Sequence, residues 1–182
     1  FDKNGKCIDQ PAEPKDKKFC HKVRHAAYPV QEKGGAIWCY MGKGEPPLIP
    51  DFEFLSGGEP NRQTFRVIQM CNWLQGLESS TDPAHTTYLH RRPPGKASER
   101  SGADISALRG TEPPEISIEQ TAYGTRIFAL HNSPNGRKYL RVNNYVYPAG
   151  ATPSTSAGES GYQGRWYVPI DDYIHCRFEF FY

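Results

Sequence analysis

Thr64-Phe-Arg-Val-Ile-Gln-Met70 runs directly into Cys71-Asn-Trp-Leu-Gln-Gly-Leu-Glu-Ser-Ser-Thr-Asp82-Pro-Ala-His85-Thr-Thr-Tyr-Leu-His90, and the change of period between the two decides the fold. The first stretch has the β-branched and aromatic residues of a strand. In the second, Trp73, Leu74 and Leu77 recur at helical spacing. That helical run sets one carboxylate and two imidazoles in the order D-x-x-H-x-x-x-x-H. On a regular helix of about 100° per residue, positions five apart diverge by about 140°, so His85 and His90 do not converge there. A π-bulge or a break near Pro83 is needed to turn them onto one point. Asp82, directly before Pro83, also suits a helix N-cap.

Upstream, residues 1–44 alternate short β-like runs with turns. Asn4-Gly5 is a hairpin signal, and Ala36-Ile-Trp-Cys-Tyr-Met41 is a compact strand after Gly34-Gly35. Glu45-Pro-Pro-Leu-Ile-Pro50 then reads as an extended linker and domain boundary, giving units 1–44 and 45–182. Downstream of His90, Pro93-Pro94 ends the helix, and the polar stretch to Pro114 reads as a long loop of the kind used for lids. Strands follow at Glu115–Gln120, Thr125–His131, Lys138–Val142, Tyr145–Tyr147 (beyond Asn143-Asn144) and Trp166–Ile170, with 149–164 read as a mobile polar loop. In the last strand Ile174, Cys176, Phe178, Phe180 and Tyr182 share one face, with His175, Arg177, Glu179 and Phe181 on the other. Strands with one helix between them define an α+β fold. The chain stops within an apolar strand, where a domain is not expected to end.

The 182 residues, 37% hydrophobic and 13% aromatic, are enough for a buried core. A net charge of +2, with Lys and Arg dispersed, argues against nucleic-acid and membrane surfaces. No apolar run approaches the ~20 residues of a membrane span, and Phe1-Asp-Lys-Asn-Gly5 is no signal peptide. A soluble cytoplasmic protein is expected. The five cysteines, at positions 7, 20, 39, 71 and 176, form no C-x-x-C, C-x-H or C-x-x-H. They read as free thiols rather than as a zinc or iron–sulfur ligand set.

Two neutral imidazoles and a carboxylate suit a borderline divalent metal, and two His plus one carboxylate form the facial set of non-haem Fe(II) oxygenases. Spacing alone leaves half-exposed surface histidines as the competing reading. The stretch from Cys71 to His90, however, resembles the mononuclear-iron motif of the Rieske non-haem iron ring-hydroxylating oxygenases, α subunit, in the phthalate 4,5-dioxygenase-like branch. Further segments agree in order: Gly5-Lys-Cys-Ile-Asp-Gln-Pro-Ala-Glu-Pro14, Tyr28-Pro-Val-Gln-Glu-Lys-Gly-Gly-Ala-Ile-Trp38, Tyr40-Met-Gly42 and Val168-Pro-Ile-Asp-Asp172. The resemblance implies the tail of a Rieske [2Fe–2S] β domain over 1–44. Over 45–182 it implies the front part of a helix-grip (START/Bet v1-like) antiparallel-sheet catalytic domain.

The same resemblance implies that His85 and His90 bind Fe(II), and that Asp82 is an electron-transfer bridge to a cluster-ligand histidine of the neighbouring subunit. The cluster ligands are expected upstream of Phe1, and a third iron ligand, an aspartate, beyond Tyr182. Asp171 and Asp172 are not assigned to iron. The chain is thus expected to be an internal piece, inactive alone, of an oxygenase that uses O2 and electrons from an NAD(P)H-dependent reductase. Its reaction would be to dihydroxylate, monohydroxylate or O-demethylate an aromatic substrate, as in aromatic hydrocarbon catabolism, and a homotrimer or multiple thereof is implied. Candidate pocket residues are Asn72, Tyr88, 91–114 and the strand 174–182, with Arg91 and Arg92 as partners for a substrate carboxylate. His131 and His175 read as structural or exposed. The rival readings are a non-enzymatic helix-grip module for an apolar small molecule, and a His-His zinc hydrolase with Glu78 as base.

Overall fold

In the computed structural model, residues 1–58, 61–90, 112–132, 136–154 and 161–182 are described. They fall into two compact units, Phe1–Asp51 and Phe52–Tyr182.

In the first unit, the hairpin of β1 (Val30–Lys33) and β2 (Ala36–Cys39) closes with Lys33 opposite Ala36. Its two-residue turn is Gly34-Gly35, at φ 68° and 74°, the positive values that the favoured two-residue hairpin turn demands of both positions. The indole of Trp38 donates to the Lys33 carbonyl at 3.0 Å and braces the turn. Asn4-Gly5 forms the expected turn, with the Asp2 carboxylate accepting from the Asn4 and Lys6 amides at 2.9 and 2.8 Å. Two short 3₁₀ turns, Lys15–Lys17 and Cys20–Lys22, lie between.

The second unit is one antiparallel sheet of seven strands in the order β3-β9-β8-β7-β6-β5-β4. In chain order its elements are α1 (Glu53–Ser56), β3 (Gln63–Gln69), α2 (Trp73–Thr81), α3 (His85–Leu89), β4 (Glu115–Thr121), β5 (Gly124–Asn132), β6 (Lys138–Val146), β7 (Gly150–Thr152), β8 (Gln163–Pro169) and β9 (His175–Phe181). The α+β expectation holds, with two corrections. The helical run is broken at 82–84 into α2 and α3, beside Pro83 as the sequence allows. Asn143-Asn144 does not separate two strands: β6 is continuous, because Asn143 is buried with both ends of its amide bonded. The stretch 149–164 is not all loop, since Gly150–Thr152 pairs with both β6 and β8. Pro93-Pro94, and the expected loop as far as residue 111, lie outside the described residues.

Helix α2 lies across β6, β7 and β8, where Leu77 packs with Ala151 and Tyr167, flanked by Trp73 and Tyr145. Burying such side chains supplies about 1.5–3 kcal/mol each. Gly76 permits the close approach: a Cβ there would lie 2.8 Å from His175 Nε2 and 2.9 Å from a Tyr167 ring carbon. On the opposite face α1 covers β9, with Phe54 5.6 Å from Phe180 between ring centres. The two-face reading of the last strand is upheld, because β9 sends His175, Arg177 and Glu179 toward the helix-bearing side and Phe180 toward α1.

Candidate metal centre

The Asn72 carboxamide caps α2 by accepting from the Leu74 amide at 3.0 Å, and its NH2 donates to the Asp172 carbonyl at 3.0 Å. Asn72 therefore caps α2 and ties it to the turn before β9. At the other end the helix stops at Thr81, and Asp82 turns extended at φ −71°, ψ 115°. The Asp82 carboxylate then receives the Ala84 amide at 2.7 Å and the His85 amide at 3.2 Å, so it caps the start of α3. The capping role read from the sequence is the observed one.

The same carboxylate lies 3.4 Å from His85 Nδ1. This is within ion-pair range but too long for a hydrogen bond, and Nδ1 is buried with no hydrogen-bond partner. Helix α3 runs only from His85 to Leu89; His90 has left it, at φ −99°, ψ 15°. The imidazoles of His85 and His90 consequently meet, with ring centres 5.4 Å apart and planes at 58°. The break at Pro83 frees Asp82 to face His85, while the end of the helix before His90 relieves the five-residue divergence.

Two imidazoles holding one divalent ion through nitrogens about 2.1 Å away, at roughly 90–110°, place their ring centres about 4.5–5.3 Å apart. The observed separation of 5.4 Å lies just beyond that range. Among the described residues no group of three His, Cys, Asp or Glu side chains is assembled for a metal. Both Asp82 oxygens are engaged with α3 amides and with His85, which suits a carboxylate that orients a ligand rather than one that binds metal itself. Asp171 caps its own hairpin turn, accepting from the Tyr173 and Ile174 amides at 2.7 and 2.8 Å.

The remaining candidates sort differently. Tyr88 is 56% exposed. Arg91 and Arg92 lie outside the described residues. His175 is fully buried and structural: its Nδ1 donates to the Cys71 carbonyl at 2.8 Å, and the Gln69 side chain lies 3.0 Å from Nε2. His131 is also buried, yet both of its ring nitrogens lack partners. Burial, then the nearby Arg141 guanidinium, lowers the His131 pKa below the ordinary imidazole value. The sequence reading did not single out Arg141 or Asn143. Their signal is the alternation Tyr139, Arg141, Asn143, Tyr145, which sends all four to one face of β6.

The sheet, with α2 on one side, has the catalytic-domain fold of the Rieske terminal oxygenases. The solved structure of dicamba monooxygenase bound to 3,6 dichlorosalicylic acid superposes with a TM-score of 0.65 at 17% identity, covering 100% of this chain and 57% of that one. The chain belongs to the LigXa C-terminal domain-like family, whose model matches residues 39–182. It is 32% identical over 190 residues to the phthalate 4,5-dioxygenase oxygenase subunit of Pseudomonas putida, over 99% of this chain and 42% of the relative. To the 5,5'-dehydrodivanillate O-demethylase oxygenase subunit of Sphingobium sp. (strain NBRC 103272 / SYK-6) it is 44% identical over 94 residues, 50% of this chain and 22% of the relative. These relatives are Rieske oxygenase α subunits. The chain spans less than half the length of the curated relatives it matches. Among the described residues, no helix is long and apolar enough to cross a membrane.

Proposed function

We propose that this chain is part of the oxygenase component of a Rieske-type aromatic ring oxygenase, and that His85 and His90 are two of the ligands of its mononuclear Fe(II). The observation that carries this reading is the meeting of the two imidazoles 5.4 Å apart while the Asp82 carboxylate faces Nδ1 of His85. Iron bound there supplies the oxygen activation that no side chain can provide. His85 and His90 hold two coordination positions, and an aspartate outside these residues takes the third. Asp82 positions the His85 ring through its Nδ1 and, with a cluster-bearing neighbouring subunit, forms the electron bridge. The domain assignment follows: 1–44 is the tail of the [2Fe–2S] domain and 45–182 is the front of the catalytic domain. The cluster, an NAD(P)H-dependent reductase, a trimeric assembly and a cytoplasmic location complete the proposal. The reaction is hydroxylation or O-demethylation of an aromatic compound, as the printed names of the relatives describe for those proteins.

The test is metal analysis of the full-length protein after anaerobic Fe(II) loading. His85→Ala and His90→Ala should each lose most of the mononuclear iron while the visible spectrum of the cluster persists. Wild-type iron content in both variants would instead leave the non-redox binding module as the better reading.

A further inference from the structure

The face of the sheet turned away from α2 carries a cavity of about 250 Å³, where α1 meets the strands β6, β7 and β8. Its side follows from the strand alternation. Tyr145 and Ala151 pack with Leu77 beneath α2, so the neighbouring Asn144 and Thr152, which line the cavity, point the other way. Phe52 and Phe54 close it from the α1 side, and Tyr123 and Tyr162 complete the wall. Sites for drug-sized ligands run from roughly 300 to 1,000 Å³, so this one suits a smaller molecule.

The walls are fixed by the protein itself. Phe54 lies hard against β8, where a Cβ on Gly164 would come within 2.5 Å of its ring. Phe52 stacks on Phe54, with ring centres 5.3 Å apart and planes at 7°. The Tyr123 hydroxyl accepts from Arg126 Nη2 at 2.9 Å and donates to Asn144 Oδ1 at 3.1 Å, and Asn144 Nδ2 donates to Thr152 Oγ1 at 2.8 Å. Tyr162 is anchored through its backbone, which exchanges hydrogen bonds with that of Tyr182 at 2.6 and 3.0 Å. A preformed wall spares a ligand much of the ordering cost of binding.

Glu53 is the one charged residue among the described residues of the lining. It is exposed, so its carboxylate stands at the mouth, and among the described residues it pairs with no Lys or Arg. The same carboxylate, beside the Tyr162 hydroxyl, raises the tyrosine pKa. Arg126, which reaches the Tyr123 hydroxyl from outside the lining, is matched by Glu119 at 3.0 Å and brings no net positive charge. Aromatic faces attract a cation within about 6 Å of the ring centre, and quaternary ammonium groups are recognised in this way. An unpaired carboxylate at the mouth strengthens that attraction and opposes an anion.

We propose that this cavity binds a small organic ammonium ion, with the rings of Phe52, Tyr123 and Tyr162 around the cation and the Glu53 carboxylate against it. The proposal stands apart from the oxygenase reading: it rests on the cavity and its charge, and none of Asp82, His85 and His90 lines the cavity.

The test is equilibrium binding to the full-length protein, by calorimetry, of choline and of 3,3-dimethylbutan-1-ol, which has the same shape with carbon in place of the quaternary nitrogen. In the wild type choline should bind on the order of fivefold more tightly than the alcohol. Glu53→Gln should remove most of that preference and leave the affinity for the alcohol unchanged. Tyr162→Leu should weaken choline, whereas Tyr162→Phe keeps the ring and should retain most of the preference. Glu53 and Tyr162 are both exposed, so the variants should fold, and an unchanged melting temperature checks this. His85→Ala should leave choline binding as it is in the wild type. Equal affinities for choline and the alcohol in the wild type overturn the proposal. So does a preference that survives undiminished in both Glu53→Gln and Tyr162→Leu, and so does its loss in His85→Ala alone, which would move the cation to the candidate metal centre.

Discussion

Asp82 serves three neighbours with two oxygens: the Ala84 amide, the His85 amide and the His85 ring. These duties separate on substitution. Asn caps a helix about as well as Asp, whereas Ala loses about 0.5–2 kcal/mol at such a position. Asp82→Asn should therefore keep the start of α3 and most of the iron, while losing the charge beside His85 on which the proposed bridge depends. Removing such an outer carboxylate costs on the order of 10–100-fold in activity or metal affinity, so substrate-coupled O2 consumption in the full-length protein should fall by about that factor at near-normal metal content. Near-normal coupled turnover with both metals in place would contradict the bridge. His131 yields a second prediction at this scale. Its folded-state pKa lies below the ordinary value, with burial the first cause and Arg141 the second. Between the folded and unfolded values the unfolded chain binds more protons, so stability is complete above the ordinary imidazole pKa of about 6.5 and falls as pH drops below it. Urea midpoints at about pH 8 and about pH 5.5 should differ more for the wild type than for His131→Leu; equal differences would show that His131 carries none of the acid sensitivity.

Helix α2 depends on a residue that is poor for helices. Gly76 costs about 1 kcal/mol relative to Ala in a helix interior, yet a Cβ at this position would press on His175 Nε2 and Cε1 and on Tyr167 Cε1, all within 2.9 Å. Both rings are fully buried and cannot swing away. Overpacking of that kind costs typically 1–3 kcal/mol, so Gly76→Ala should lower stability by about 1 kcal/mol net despite the better propensity, read as a lower urea midpoint; a rise would show that the helix can lift off β8 and β9. The same helix shows what the sequence could reveal. The period of Trp73, Leu74 and Leu77, the strand alternation from His175 to Phe181 and the Gly34-Gly35 turn are local signals, and each appears where expected. Asn143-Asn144 misled because asparagine favours turns in isolation, whereas here the burial of Asn143 against Thr81 and Ser154 overrides that preference. β7 was hidden because Gly150-Ala-Thr152 has no pattern of its own and becomes a strand only between β6 and β8. The nearness of His85 and His90 is foreshadowed by their motif and the break at Pro83, whereas that of His131 and Arg141 is a cross-strand relation that no linear spacing records.

At the scale of the molecule, the proposed metal between His85, His90 and a third ligand would tie α3 to more distant structure, and that linkage would be thermodynamic as well as catalytic. A ligand that binds only the folded state stabilises it by RT ln(1 + [L]/Kd), about 2.7 kcal/mol at a hundredfold excess over Kd. For a unit of roughly 150–250 residues, each kcal/mol moves the midpoint by about 2–4 °C. Mononuclear iron should therefore raise the melting temperature of the catalytic part of the full-length protein by about 5–10 °C. An anaerobic chelator that spares the cluster should remove that increment. In His85→Ala and His90→Ala the increment should be absent before any chelator is added, leaving both close to the chelated wild type. This comparison separates the roles of the residues: Asp82→Asn, with its cap intact, should still melt higher with iron than without it. If iron stabilises the two histidine variants as much as the wild type, the metal sits elsewhere, and the meeting of the two rings at the end of α3 is a packing contact rather than a coordination site.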